Sequence, residues 1–280
     1  MKPVTIGIIG GTGGMGRLFE NFFKRGGQRV LIAGRKTDLT YAELARQSNV
    51  VILSTPLEAA VSIVAEIGPL LKEDQLLMDF CSLKELIVKA MLSHSSAQVI
   101  GSHPLFGPFT SSFKGQNIVI CPVRGRDWIQ WCETIFSREG AAVTRMDPAE
   151  HDQHMAVVQG LTHFITICMG RTLMKLEIHP GKSLKFATPL FRLNLDLIGR
   201  LFAQDLELFS SLINQNKNIH AILETFFAVL DESRTQLFGH PAGDRMAYLE
   251  EIRDFLGDFC ATALSESNQF LEALHSRENS

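Results

Sequence analysis

Thr5-Ile6-Gly7-Ile8-Ile9-Gly10-Gly11-Thr12-Gly13-Gly14-Met15-Gly16 is the stretch that decides the architecture of this 280-residue chain. An apolar run of strand length passes directly into a glycine-rich turn, and an amphipathic stretch carrying Leu18, Phe19, Phe22 and Phe23 follows. The turn satisfies G-x-G-x-x-G. In that pattern one glycine makes a tight turn, the next lets a pyrophosphate approach the backbone, and the third lets helix pack on strand. The phosphates then face the unpaired N–H groups of a helix N-terminus. Such glycines alone are a weak signal. Their place between an apolar strand and a helical pattern points to a dinucleotide site and not to an incidental turn. Gly11, Thr12, Gly13, Met15 and Gly16 are the expected cofactor-binding residues of this turn.

Outward from the turn, short apolar runs alternate with helical patterns. Candidate strands are 5–9, 29–33, 50–54, 76–79, 98–100, 117–121 and 142–145, with helices between several of them, such as 15–24, 57–67, 83–92 and 128–138. Strands buried on both faces and separated by helices predict an α/β, mostly parallel, doubly wound sheet of the Rossmann type. From about Asp147 the pattern changes to apolar residues at spacings of three and four, as in Met155/Val158/Leu161/Ile165/Cys168 and Leu212/Ile219/Ile222/Phe226/Leu230. A break at Phe238-Gly239-His240-Pro241-Ala242-Gly243 precedes a last helix expected over 245–274. The chain therefore divides into a dinucleotide-binding domain, residues 1–146, and an all-helical domain, residues 147–280.

Composition narrows the function classes. Hydrophobic residues make up 45% and charged residues 20%, as in an ordinary globular protein. A formal charge of -3 leaves no basic surplus for a phosphate backbone, so nucleic acid is not an expected partner. The stretch 155–170 is interrupted by Gln159, Thr162, His163 and Thr166, which predicts a buried helix and no membrane span. Five scattered cysteines with no CxxC pair fit reduced thiols in a cytoplasmic protein, and no metal site is expected.

The second strand ends in Gly34-Arg35-Lys36-Thr37 where an NAD site usually carries Asp or Glu for the ribose 2′-hydroxyl. Arg35 and Lys36 could instead pair with a 2′-phosphate. They could also be a solvated basic turn. The expectation is NADP in preference to NAD. Thr55 and Pro56, at the end of the third strand, are placed against the dinucleotide by analogy with the fold.

Two more segments fall at C-terminal ends of candidate strands: Asp79-Phe80-Cys81-Ser82-Leu83-Lys84-Glu85 and Gly101-Ser102-His103-Pro104-Leu105-Phe106-Gly107-Pro108. His103, fixed by the following proline, is suited to accept a hydroxyl proton while hydride leaves the same carbon. Ser82 could hold that imidazole or the substrate hydroxyl. A lone loop histidine is more often structural, so the weight rests on the surrounding motif.

That motif resembles the prephenate dehydrogenase family. His103 to Pro108 is similar to the family's HPMFGP, and Asp79 to Lys84 to its D-x-x-S-x-K. The stretch 150–164 is similar to its E-H-D-Q-x-M-A-x-x-Q-x-L-x-H-F. Phe191-Arg192-Leu193 and 199–205 resemble Y-R-L and G-R-L-F-A-Q-D. The likeness runs in order from about residue 5 to beyond 270 and is nearest to the dehydrogenase part of bacterial bifunctional enzymes with chorismate mutase. It implies oxidative decarboxylation of prephenate to 4-hydroxyphenylpyruvate, in tyrosine biosynthesis, with hydride passing to NAD(P). In this light His103 is the base at the ring hydroxyl and Ser82 orients that hydroxyl. His163 and Gln159, one helical turn apart, reach the substrate. Arg200 is the principal cation for the side-chain carboxylate, with Arg192 secondary or structural, and His151 sits near the substrate or the domain junction. A homodimer through the helical domain is implied as well.

Plainer roles exist for some of these residues. Arg192, Asp196 and Arg200 at four-residue spacing could be an ion-pair ladder, and the stripe through Phe164, Ile167 and Met174 could be core. His154 carries no expected role. Departures from the family are Phe109 after Pro108, Leu206 after Gln204-Asp205, and the basic turn at 34–36. They leave arogenate or an amino-substituted prephenate open as substrates. A non-catalytic NADP-sensing module would need neither His103 nor Arg200, and a β-hydroxyacid dehydrogenase would want a supported lysine, which Lys175 and Lys182 are not. With the first strand starting at Thr5, no chorismate mutase domain is expected ahead of it.

Overall fold

The computed structural model describes residues 4–239 and 241–276. By their internal packing these form two compact units, Met1–Met155 and Ala156–Ser280. The change of pattern near Asp147 precedes this division by one helix, which packs with the first unit.

The first unit is a seven-stranded sheet in the order β2-β1-β3-β4-β5-β6-β7. The strands are β1 Thr5–Ile9, β2 Arg29–Ala33, β3 Val50–Leu53, β4 Leu76–Asp79, β5 Gln98–Pro104, β6 Asn117–Arg124 and β7 Ala142–Arg145. All seven expected strands form, with β5 and β6 longer than their apolar runs. Between them lie α1 Gly14–Arg25, α2 Tyr41–Gln47, α3 Leu57–Ile67, α4 Glu85–His94 and α5 Ile129–Ser137, and α6 Pro148–Met155 follows β7. Only β5 and β6 pair antiparallel, His103 facing Val119. The reason is local. Parallel strands need a crossover of a dozen or more residues, usually helical. The segment between β5 and β6 contains Gly107, Pro108 and Gly115 and forms no helix, so the chain turns back beside the strand it has left.

Both faces of this sheet are covered. One cluster gathers Leu53, Val64, Leu77, Ile87 and Met91; the other gathers Ile8, Phe19, Phe23, Ile52, Phe113 and Phe136. Phe19 is its aromatic hub, stacked on Phe80 at a centroid distance of 4.0 Å and meeting Phe113 edge-on at 5.2 Å. The phenylalanines of the amphipathic stretch thus carry α1 onto the sheet and fix where its N-terminus points.

The second unit begins with a π-helical segment, Ala156–Leu161, and continues as α7 Thr162–Lys175, α8 Pro180–Ser183, α9 Pro189–Phe202, α10 Leu206–Gln215, α11 Ile219–Gly239, α12 Ala242–Leu256 and α13 Phe259–Ser276. Two expectations are corrected here. The apolar pattern from Leu212 to Leu230 is split at Asn216, whose side chain accepts the Asn218 N–H at 3.0 Å and ends α10. The single last helix is broken at Gly257, which takes φ of 53°, a conformation that costs little only without a Cβ. His240, in the expected break, lies outside the described residues. Among the described residues, no helix is long and apolar enough to cross a membrane.

Candidate active site

Because β1, β3, β4 and β5 run parallel, their C-terminal ends share one edge of the sheet. The turn after β1 has the geometry its glycines predict. Gly10 takes φ of +82°, and a Cβ there would lie 2.3 Å from the Ser54 carbonyl oxygen. A Cβ on Gly16 would lie 2.5 Å from the Gly10 carbonyl, so only glycine lets α1 start against the strand. No acidic residue stands in the first turn of α1. Thr55 Oγ1, at the end of β3, is buried with no protein partner among the described residues. A bare helix N-terminus, a cradle that any Cβ would fill and an orphaned hydroxyl fit a nucleotide cofactor; Gly11, Thr12, Gly13, Met15 and Gly16 lie along this turn, and Thr55 and Pro56 just beyond β3. The β2 turn is locked by Thr37, whose Oγ1 accepts from Gly34 N–H at 2.9 Å. It leaves Arg35 and Lys36 exposed, with no ion pair among the described residues.

Two strands from β3 on the same edge, His103 is 3% exposed at the end of β5. Its Nδ1 lies 2.9 Å from Nε2 of His151, on α6. His151 Nδ1 lies 2.7 Å from Asp152 Oδ1. That carboxylate also accepts the Lys84 N–H at 2.8 Å on Oδ1 and the Glu85 N–H at 3.0 Å on Oδ2. Beneath it Lys84, 0% exposed, donates its ammonium to Asp79 and to the Ser102 carbonyl, the latter at 2.7 Å. Ser102 Oγ in turn donates to the Asp79 carbonyl at 2.6 Å. A buried ammonium would be costly alone, and two acceptors hold it here.

Electrostatics follow from that burial. Desolvation, then the Lys84 charge, then His151 hold the His103 imidazole well below its ordinary range, so it is a neutral proton acceptor. Desolvation raises Asp79 above the usual carboxylate range against the pull of Lys84. It also raises the thiol of Cys81, and that of Cys121 to about 12, which makes these buried thiols inert.

The expected site residues do not all land as anticipated. His151 is fully buried and both ring nitrogens are occupied, by Asp152 and by His103. Its side chain links His103 to Asp152. Ser82 is half-buried just beyond β4, and among the described residues no hydrogen bond links it to His103. In the helical unit Gln159 lies in the π segment, its buried Oε1 without a hydrogen-bond partner among the described residues. His163 follows on α7, half-buried, its ring edge-on to Phe209 at 5.0 Å, with burial lowering its pKa. Of the Arg192-Asp196-Arg200 ladder only the first rung forms, Arg192 Nε to Asp196 Oδ2 at 3.3 Å. Arg200 is exposed and, among the described residues, in no ion pair. Reasoning from sequence left Asp79, Lys84 and Asp152 without roles. All three stood inside quoted motifs, and a charge embedded in an apolar strand end was the available sign.

Comparison with known proteins bears on the family and the fold. A family model described as "Prephenate dehydrogenase, nucleotide-binding domain" matches residues 25–145, and one described as "Prephenate dehydrogenase, dimerization domain" matches 147–251. A protein named "T-protein" from Enterobacter agglomerans is 33% identical over 277 residues, covering 98% of this chain and 72% of the relative. The chain belongs to the prephenate dehydrogenase family. A Methanocaldococcus jannaschii protein named "Probable arogenate/prephenate dehydrogenase" is 34% identical over 242 residues, 80% of this chain; the match spans about half, 54%, of that relative's length. The crystal structure of prephenate dehydrogenase from A. aeolicus, in complex with hydroxyphenyl propionate and NAD+, has the same fold. Its TM-score is 0.74 at 19% identity, covering 90% of this chain and 97% of that one. Membership in this oxidoreductase family accounts for the sheet, the glycine turn and the helical unit together.

Proposed function

We propose that the chain oxidises and decarboxylates prephenate to 4-hydroxyphenylpyruvate, using NADP in preference to NAD. The observation that carries the reading is His103: a buried, neutral imidazole held at Nδ1, on the same sheet edge as the glycine turn. The nicotinamide, when bound, supplies the hydride acceptor. His103 takes the ring hydroxyl's proton as the carbon beneath it is oxidised, so no charged alkoxide has to form. Carbon dioxide then leaves the ring as it becomes aromatic, and the protein need only hold the substrate oriented. Ser82 orients the hydroxyl, and Arg200 pairs with the side-chain carboxylate, supported by Gln159 and His163; Arg192, tied to Asp196, is secondary.

The NADP preference is supported by two exposed cations and no carboxylate at the end of β2. A homodimer formed through the helical unit is supported by the exposed apolar side chains there and by the dimerization domain that the matched family model describes. Steady-state kinetics with prephenate and with arogenate, each with NADP and NAD, test the proposal. The expected result is the highest kcat/KM with prephenate and NADP. Turnover of arogenate alone would assign the amino-substituted substrate, and absence of turnover with any pair would leave a nucleotide-binding module.

A further inference from the structure

The hydrogen bonds around His103 fix more than its position; they fix where its proton sits. Asp152 accepts two backbone N–H groups, of Lys84 and Glu85, at the N-terminal end of α4. Each of its oxygens therefore already faces a donor, and a carboxylic acid proton would point at one of them. As a carboxylate beside His151 Nδ1 it requires the proton of that ring on Nδ1. The other nitrogen of a neutral His151, Nε2, is then an acceptor, and it faces His103 Nδ1 at 2.9 Å.

We propose that Asp152 is a positioning residue that acts through His151: the pair keeps the proton of His103 on Nδ1 and leaves Nε2 bare as the basic nitrogen. The inference rests on the reading of His103 as the base and extends it to two residues that need not touch substrate. The charges of Lys84, ahead of α4, and of His151 work against a cation at His103, and Lys84 is itself paired with Asp79 at the end of β4. The hydrogen-bonded chain from His103 through His151 ends on the Asp152 carboxylate, which is the acidic group in line with it. The helix N-terminus anchors the carboxylate, so its position does not depend on side-chain rotamers at the surface.

The test is the tautomer itself. In full-length protein saturated with NADP and labelled with 15N in histidine imidazoles, nitrogen–proton correlation spectra report which ring nitrogen carries the proton, with His103→Asn identifying its signals. The expected spectrum has His103 protonated at Nδ1 and bare at Nε2. In Asp152→Asn the carboxamide N–H can donate to His151 Nδ1 and reverse both rings. His103 should then carry its proton on Nε2, with kcat down by about 100-fold or more and KM nearly unchanged. That substitution also removes an acceptor from the start of α4. His151→Phe is the companion variant, since it keeps the Asp152 cap and removes only the link; it should lower kcat by at least about tenfold. A wild-type His103 protonated at Nε2 would overturn the proposal, as would either variant with unchanged kcat and an unchanged His103 tautomer. Normal turnover by His103→Asn would instead overturn the base reading, and the spectra would still decide whether Asp152 sets the ring.

Discussion

The two units of this chain handle their apolar and charged residues in opposite ways. The α/β unit covers both faces of its sheet and buries a lysine, two aspartates and two histidines without exposing any of them appreciably. The helical unit buries little: Leu195, Leu201, Leu212 and Ile219 are its large buried aliphatic side chains among the described residues, while α7 and α12 have no buried residue at all. Phe255 is 88% exposed and Phe270 66%. A unit able to bury polar groups has core to spare, whereas exposed phenylalanines are the kind of surface that a protein contact would cover. The comparison teaches where polar chemistry can be buried within one chain and which unit to test for a second surface.

Five substitutions and a pH series sharpen or break that contrast. The largest effect is expected at His103. His103→Asn should lower kcat by about two to four orders of magnitude, the usual contribution of a positioned base, with substrate affinity little changed. Near-normal turnover would mean that the buried polar chain serves structure alone. Next is the cores themselves. Phe19→Ala should cost about 3–5 kcal/mol in thermal or denaturant unfolding, since a hub of stacked rings cannot collapse into the gap. Phe255→Ala should cost less than about 0.5 kcal/mol if the protomer stands alone, and more than about 1.5 kcal/mol if a second copy covers it. Melts of that variant at two protein concentrations distinguish the two.

Arg200→Gln comes third. Loss of a charged partner from a desolvated carboxylate costs about 2–5 kcal/mol, a KM increase of roughly 30- to several-thousand-fold, with the fold intact. An unchanged KM would return Arg200 to a solvated face. Arg35→Asp, fourth, should reverse cofactor preference. Charge-assisted hydrogen bonds contribute about 1.5–3 kcal/mol, so kcat/KM with NADP should fall by about 10- to 100-fold while that with NAD holds or rises. Better use of NAD by the unmodified protein would remove the premise.

The smallest effect concerns pH. Burial depresses His103 in the folded protein below the 6.5 of a free imidazole. Between the two values the unfolded chain binds the additional proton, so the stability that a neutral His103 contributes is present above pH 6.5 and is lost as pH falls towards the folded value. The slope of stability against pH below 6.5 should be shallower in His103→Asn. Equal slopes would mean that other groups govern acid unfolding.

Much of the α/β unit was legible because its signals are local. Seven apolar runs became seven strands, and Gly10 and Gly16 do what the turn pattern requires. The ends of β5 and β6 were not legible, because His103 and Pro104 join the sheet through pairing with β6 and not through their own apolar character. In the helical unit the periodicity gave helices but not their breaks. Asn216 and Gly257 end helices through a side-chain bond and a left-handed backbone, neither of which disturbs spacing. At the site, His103 could be picked out by its motif. The role of His151 could not, since it depends on α6 packing beside β5, a contact between residues 48 apart.

The place of His103 on a strand, and not on a loop, has a consequence for how the protein can change over evolutionary time. β5 is hydrogen-bonded to β4 on one side and β6 on the other, so its amides should be among the slowest in the molecule to exchange with deuterium. The loop that follows is anchored by the side chain of Phe113 in the core, while Phe109 stands largely in solvent. Replacing Phe109 should therefore leave the imidazole where it is, so that the proposed base and the solvent-facing tip of the loop can vary separately.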